Sequence, residues 1–317
     1  MTPGRLDVRL GISGLYGSAG HLAECPDLGP ACNGSSPPVP YYHHVALWLS
    51  DVTADVAYGL TDSLAVEGRV VLRVVDTTPT YTELDGSPKL VPNDIHHHDR
   101  TMVGLGDPWL VFRAGAAWGK LQTAARIGVS FPVGRTEPDP YALAAQGKWH
   151  EHIMMGTGTF LPIVGMGVSY PAGSFELSAS ALGLFSVYEN GDGFRAPSRI
   201  FGGIRVGYPI TKFKLSPFVA ADIAHESAEI WHGAYALEGF NARTDVLVGV
   251  GASWEFSPQW RLEANVKARV LRLTDAPAFN YPGLAQLAIS HAWDFGKKED
   301  AHGHGDEHGH GDEDHHH

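Results

Sequence analysis

Eighteen of the 317 residues are histidine, and many stand beside carboxylates. His96-His97-His98-Asp99 and His150-Glu151-His152 place imidazole and carboxylate donors side by side, a set suited to Zn, Cu or Ni. A second concentration lies near the C-terminus, where His302, His304, His308 and His310 are interleaved with Gly, Asp and Glu. Such low-complexity sequence has too little apolar surface to pack. Residues 296–317 are therefore expected to be a disordered tail able to bind or buffer a divalent metal. His315, His316 and His317 read equally well as a purification tag. No motif requires a cofactor, and the plain alternative for the loop histidines is surface imidazole with no ligand role.

Asp222-Ile223-Ala224-His225-Glu226-Ser227 offers different chemistry. Alternation from Val219, Ala221 and Ile223 puts His225 and Ser227 on one face, two residues apart, where a histidine can activate a serine. On a lipid-facing wall this pair is similar to that of outer-membrane phospholipase A and the lipid A deacylases. Glu226 points to the other face, and no Asn-Gly follows the serine. A lipid-ester hydrolase is thus an alternative, while the leading reading is not an enzyme. Cys25 and Cys32 lie in the Pro/Gly-rich stretch 24–41, and both a loop disulfide and two unrelated thiols are open there. There is no phosphate-binding loop and no Cys-x-x-Cys.

The elements that carry these residues follow from composition and period. Glycine makes up 38 of 317 residues, near 12%, and charged residues 18%, against ordinary values of roughly 7% and 25%. Each glycine would cost about 0.5–1 kcal/mol inside a helix, so a coiled coil or a helical enzyme is a poor fit. The net charge is −12, of which residues 296–317 contribute two Lys against seven Asp/Glu, or −5. The remaining −7 argues against nucleic acid as a partner. The charge-free window 153–175 imitates a membrane helix, but it contains Pro162, Pro171 and five glycines, and its apolar side chains alternate.

Period two dominates. Trp260, Leu262, Ala264, Val266, Ala268 and Val270 fall on one face, with Arg261, Glu263, Asn265, Lys267 and Arg269 on the other. Segments 64–75, 121–131 and 246–256 alternate in the same way. Twelve such segments are expected at about 5–18, 43–60, 64–77, 101–117, 121–134, 155–170, 175–188, 198–208, 212–228, 241–256, 259–273 and 281–295, reading the alternation as strand geometry. They are paired by short turns and separated by longer loops, as in transmembrane β-barrels. Tyr58, Trp118, Tyr170, Phe175, Tyr208, Phe213, Trp254, Phe256 and Trp260 flank the short turns, where an aromatic girdle meets headgroups. Pro162 falls in mid-strand on this reading and calls for a bulge.

The sequence therefore predicts an all-β fold: a transmembrane antiparallel up-and-down barrel of about twelve strands over 1–295, with short periplasmic turns, long extracellular loops and the tail at 296–317. No secretory signal precedes it, which suggests a trimmed or mis-started sequence. The lumen is expected to hold Arg69, Arg73, Arg126, Arg205, Glu255, Arg261, Glu263, Lys267 and Arg269. Both signs are present, so many of these should pair rather than select one ion.

Tyr58-Gly59-Leu60-Thr61-Asp62-Ser63-Leu64-Ala65-Val66 and Gly104-Leu105-Gly106-Asp107-Pro108-Trp109-Leu110 resemble elements of outer-membrane proteins of the meta-pathway of phenol degradation family. The ending Ile289-Ser290-His291-Ala292-Trp293-Asp294-Phe295 resembles the terminal strand of bacterial outer-membrane barrels. These resemblances imply a bacterial outer-membrane channel or transporter passing a small, hydrophobic solute by passive diffusion through or along the barrel. The implied partners are outer-membrane lipid, the barrel-assembly machinery and that solute. A metal handler using the His-rich loops and tail is the other alternative.

Overall fold

The computed structural model describes residues 2–22, 41–90, 98–146, 148–236, 242–273 and 280–295. Cys25, Cys32, His96, His97 and the tail histidines His302, His304, His308 and His310 lie outside them.

Sixteen strands are present among the described residues. The first half comprises β1 (Arg5–Leu22), β2 (Tyr42–Gly59), β3 (Leu64–Thr82), β4 (Arg100–Leu105), β5 (Trp109–Trp118), β6 (Leu121–Ser130), β7 (Leu161–Ala172) and β8 (Phe175–Leu184). The second half comprises β9 (Phe194–Arg195), β10 (Arg199–Gly207), β11 (Leu215–Glu226), β12 (Ile230–Trp231), β13 (Ala234–Tyr235), β14 (Arg243–Trp254), β15 (Trp260–Leu273) and β16 (Gly283–Asp294). One short helix, α1 (Pro140–Ala145), interrupts the pattern.

Neighbouring strands are antiparallel throughout. β1 pairs with both β2 and β16, and β2 pairs with β3, so the sheet closes on itself. Closure leaves no strand edge in hydrocarbon, which is the condition for a sheet to cross a bilayer. Among the described residues no helix is long and apolar enough to cross; the strands do so. β9, β12 and β13 form a separate three-stranded sheet.

The barrel has twelve wall strands because β4 and β5 are two halves of one. Both bond to the same side of β3, β4 opposite residues 72–77 and β5 opposite residues 64–69. The sequence reading of one strand over 101–117 is corrected here by Gly106, Asp107 and Pro108. Pro108 has no N–H to give to a ladder. Facing also slips across the break: Val103 and Leu105 point outward in β4, then Leu110 and Phe112 in β5.

Two further boundaries differ. β6 ends at Ser130 rather than residue 134, and β7 begins at Leu161 rather than residue 155. Pro162 is consequently the second residue of β7, where a missing donor is tolerated, and no bulge is needed. The register irregularity lies instead opposite 246/247, where Val246 faces Leu271 and Leu247 faces Arg269. Val270 is the additional residue, which turns both it and Leu271 outward.

Apolar side chains clothe the outside. All nine aromatics flanking the short turns are exposed, including Trp118 and Trp254. His291 stands in this belt, its ring centroid 4.3 Å from Trp260 and 4.0 Å from Trp293. The wall is uneven in height: β1, β2 and β3 run 18, 18 and 19 residues, but β6, β8 and β10 only 10, 10 and 9. The segment 131–160, with α1, and the three-stranded sheet occupy the low side.

This facing has a direct thermodynamic consequence. Val248 points outward near mid-strand, whereas Ser180 points into the lumen, so arginine at the two sites meets lipid or water. Val248→Arg should lower unfolding free energy in bilayers by about 2–4 kcal/mol. Ser180→Arg should change it by less than about 0.5 kcal/mol. Urea titration of the folded fraction in lipid vesicles measures both.

Candidate functional site: the lumen and the break in the fourth strand

Inward positions of the long strands carry nearly all the barrel's charge, and most of it is paired. Asp51 accepts two hydrogen bonds from the Arg73 guanidinium, at 2.8 and 2.9 Å. Asp55 pairs with Arg69, and Asp222 with Lys267. Glu67 sits between Arg113 and Arg126, each at 2.8 Å. Glu263 lies among Arg9 (3.2 Å), Arg205 (3.0 Å) and Arg261 (3.7 Å). Since Arg205 is on β10 and Glu263 on β15, that contact reaches past two intervening strands. Asp245 is approached by Arg269 at 3.6 Å and receives the Tyr281 hydroxyl at 3.0 Å. Burial beside that carboxylate pushes the Tyr281 phenol up to about 12.

Eight of the nine lumen residues read from sequence therefore face inward into this network. Glu255 does not join it: it lies just past β14, exposed at the short-turn rim, with its N–H donated to Lys214 O. Sequence reasoning passed over Asp51, Glu226, Asp245 and Arg243 as members. Their period-two phase was the available signal.

On the β3–β4 side the lining changes character towards the extracellular end. Val75, Met102 and Met155 are buried together, with Leu47, Leu49 and Ile153 packed against them. Met102 belongs to β4, so this apolar cluster adjoins the break in the wall. Asp107 occupies the break and acts as a staple. Its Oδ1 accepts the N–H groups of Val133 (3.1 Å) and Gly134 (2.8 Å). Its Oδ2 accepts both the N–H (2.8 Å) and the hydroxyl (2.7 Å) of Thr157. One carboxylate thus joins the broken strand to both ends of the 131–160 segment. Gly134 and Gly156 make the approach close, since a Cβ on Gly134 would lie 2.6 Å from the Gly156 Cα.

The segment itself packs as a small cap. Asp139 caps α1 by accepting the N–H groups of Tyr141 and Ala142. The Tyr141 hydroxyl (3.0 Å) and the Trp231 indole N–H (3.4 Å) both reach Glu229. Phe194, Ala196 and Trp231 form the cap's core. Burial pushes the Glu229 carboxyl up from its ordinary 4.5, outweighing the two hydrogen bonds that act the other way, with Asp139 adding to the rise.

Of the sequence-predicted ligands among the described residues, His150 and His152 adjoin. His150 is fully buried, with its ring centroid 5.2 Å from that of His152, and its Nδ1 lies 3.0 Å from Lys148 O. His98 lies tilted against Trp149, with ring centroids 5.4 Å apart. Among the described residues no three His, Cys, Asp or Glu side chains gather as a metal site. His225 and Ser227 do face outward, but they are not hydrogen-bonded to each other. His225 Nδ1 lies 2.9 Å from the Thr244 hydroxyl. The Ser227 hydroxyl accepts the Ser198 N–H at 2.9 Å and donates to Ala228 O at 3.3 Å. The serine is thus not poised as a nucleophile.

A closed twelve-stranded wall, an apolar exterior with an aromatic belt and a charge-lined interior define an outer-membrane β-barrel. The chain belongs to the family described as "Putative MetA-pathway of phenol degradation", whose model matches residues 69–272. No curated protein matches it significantly in sequence. An outer membrane channel from Pseudomonas putida F1 shares the fold with a TM-score of 0.55 at 13% identity, over 92% of this chain and 97% of that one. The monoaromatic hydrocarbon channel TodX, in a deltaS2S3 mutant, gives a TM-score of 0.43 at 8% identity, over 93% of this chain and 91% of that one.

Two outcomes follow from the staple and the cap. Asp107→Ala strands the N–H groups of Gly134 and Thr157 and leaves Val133 N–H and the Thr157 hydroxyl only their second acceptors, Phe131 O and Thr159 O, and should cost about 2–4 kcal/mol. Limited proteolysis should then cut within 131–160 while the barrel keeps its heat-modifiable gel mobility. A raised Glu229 pKa favours the protonated folded form, so its contribution is most favourable below the ordinary carboxyl value and is lost as pH rises through the raised one. Cap amide protection, corrected for intrinsic exchange, should fall in the wild type as pH rises above the ordinary carboxyl value of 4.5. It should stay flat in Glu229→Gln.

Proposed function

We infer that this protein is a passive outer-membrane channel for a small hydrophobic solute. The observation that carries the reading is the apolar cluster of Val75, Met102 and Met155 inside an otherwise ion-paired lumen, beside the break in the fourth strand. The cluster is closed to water, and a solute with an aromatic or aliphatic body can take the place of one of its packed side chains at no polar cost. Below the cluster, the guanidinium–carboxylate network fills a barrel that is already narrow beside porins of 16–18 strands. That combination disfavours bulk flow of large hydrophilic solutes. The family's association with phenol degradation supports a ring-bearing apolar molecule as the substrate class. No nucleotide-binding loop is present in the sequence, so movement down a gradient is the economical mechanism. The hydrolase alternative is weakened by the hydrogen bonding of Ser227.

Uptake of a phenol-type solute into proteoliposomes tests this. Met102→Lys places a charge within the apolar cluster, and should reduce solute flux about tenfold, equivalent to roughly 1.4 kcal/mol in the barrier. Single-channel ion conductance should change much less. Equal flux through wild type, Met102→Lys and protein-free vesicles would remove the reading.

A further inference from the structure

Outside the lumen, a cavity of about 610 Å³ opens on the wall at the extracellular ends of β10 and β11. Ser186, Ser198, His225, Ser227, Arg195 and Tyr235 supply its polar lining. We propose that this cavity binds the phosphate-bearing headgroup of an outer-leaflet lipid.

Its position selects a lipid. His225 and Ser227 continue the outward face that carries Val219 and Ile223 lower on β11, both well exposed. The cavity therefore sits where the apolar wall gives way to polar surface, at the depth of headgroups, with acyl chains able to run down the strand beneath it. Tyr235 at its margin is 70% exposed, an aromatic body with a polar tip of the kind that settles at such an interface.

Its chemistry selects phosphate. Arg195 is the only charged side chain in the lining, and it forms no ion pair among the described residues. Its neighbours in sequence and space behave otherwise: Arg199 and Arg243 hold Glu226 at 3.1 and 2.6 Å. Among the described residues no carboxylate lines the cavity to repel an anion. The Ser186 hydroxyl is shielded from water and lacks a hydrogen-bond partner among the described residues. An unsatisfied donor and an uncompensated guanidinium at one cavity are both relieved by an oxyanion with several acceptor oxygens. His225 uses Nδ1 on Thr244, so its other ring nitrogen remains as a further contact. The cavity binds rather than cleaves, because Ser227 is engaged by the Ser198 N–H and the Ala228 carbonyl. The inference does not depend on which solute the lumen passes.

The test is native mass spectrometry of the full chain in detergent, with bisphosphorylated lipid A, the same lipid dephosphorylated, and inorganic phosphate as probes. The expected result is retention of bisphosphorylated lipid A, falling at least several-fold in Arg195→Ala and in Ser186→Val and partly restored in Arg195→Lys. Arg135→Ala removes a cation from elsewhere on the extracellular side and should leave retention unchanged. Heat-modifiable gel mobility identifies any variant that has not folded. Equal retention of the dephosphorylated lipid would reduce the site to apolar contact and overturn the proposal. Inorganic phosphate displacing lipid A at equal concentration would make it a free-anion site, which also overturns it. So would equal retention by folded Arg195→Ala and wild type.

Discussion

A backbone N–H inside hydrocarbon has no water to bond, and leaving it unpaired costs several kcal/mol. Everything in this molecule is arranged around that constraint. Ring closure through β1 satisfies it for most of the wall, with β16 on one side and β2 on the other. The fourth strand is where the ladder fails. Pro108 has no donor, β4 bonds to β3 alone among the strands, and from Leu105 to Trp109 the chain carries one residue more than the stretch of β3 it faces, with Gly106 N–H still on Val71 O at 2.9 Å. Asp107 replaces the lost ladder with a side chain, taking donors from Val133, Gly134 and Thr157. The carboxylate makes the interruption a fixed feature of the wall rather than a frayed edge.

The lumen divides its chemistry in the same place. Charge pairs such as Asp51 with Arg73 and Glu67 with Arg113 and Arg126 fill the interior towards the periplasmic side. Pairs buried to this degree lose to desolvation much of what they gain in attraction, so each contributes little net stability. Their larger effect is to occupy volume and hold polar side chains to one another. Above them the buried apolar cluster adjoins the break, so apolar side chains gather where the wall is interrupted. A solute that prefers hydrocarbon to water meets little resistance there and more at the ion pairs.

Much of this was legible in the sequence. Strict alternation over 260–269 requires a strand with one wet and one dry face, and β15 has that form. The aromatics around the short turns were readable because a lipid interface selects them by position as well as type. Alternation could not reveal a slip of one residue, so the irregularity at Val270 and the phase change at 106–108 were both missed. Proline and glycine in Gly106-Asp107-Pro108 were visible signals, but the partners of Asp107 are 26 to 50 residues away and follow no period. The start of β7 was misplaced for a related reason: residues 155–160 alternate in composition, yet Thr157 is bonded to Asp107 and to Thr159 rather than to a ladder. Paired histidines suggested ligands by composition alone. The fold instead buries His150 against a backbone carbonyl and sends His98 to Trp149.

The central claim is that the fourth wall strand is two pieces whose outward faces are out of phase. A nitroxide scan of residues 100–118 in lipid bilayers, reading collision with dissolved oxygen, tests it most directly. Oxygen maxima are predicted at 101, 103 and 105 and then at 110, 112 and 114, with immobile, low-oxygen labels between. A single uninterrupted alternation through 106–108 would contradict the account, because it would leave Asp107 nothing to staple.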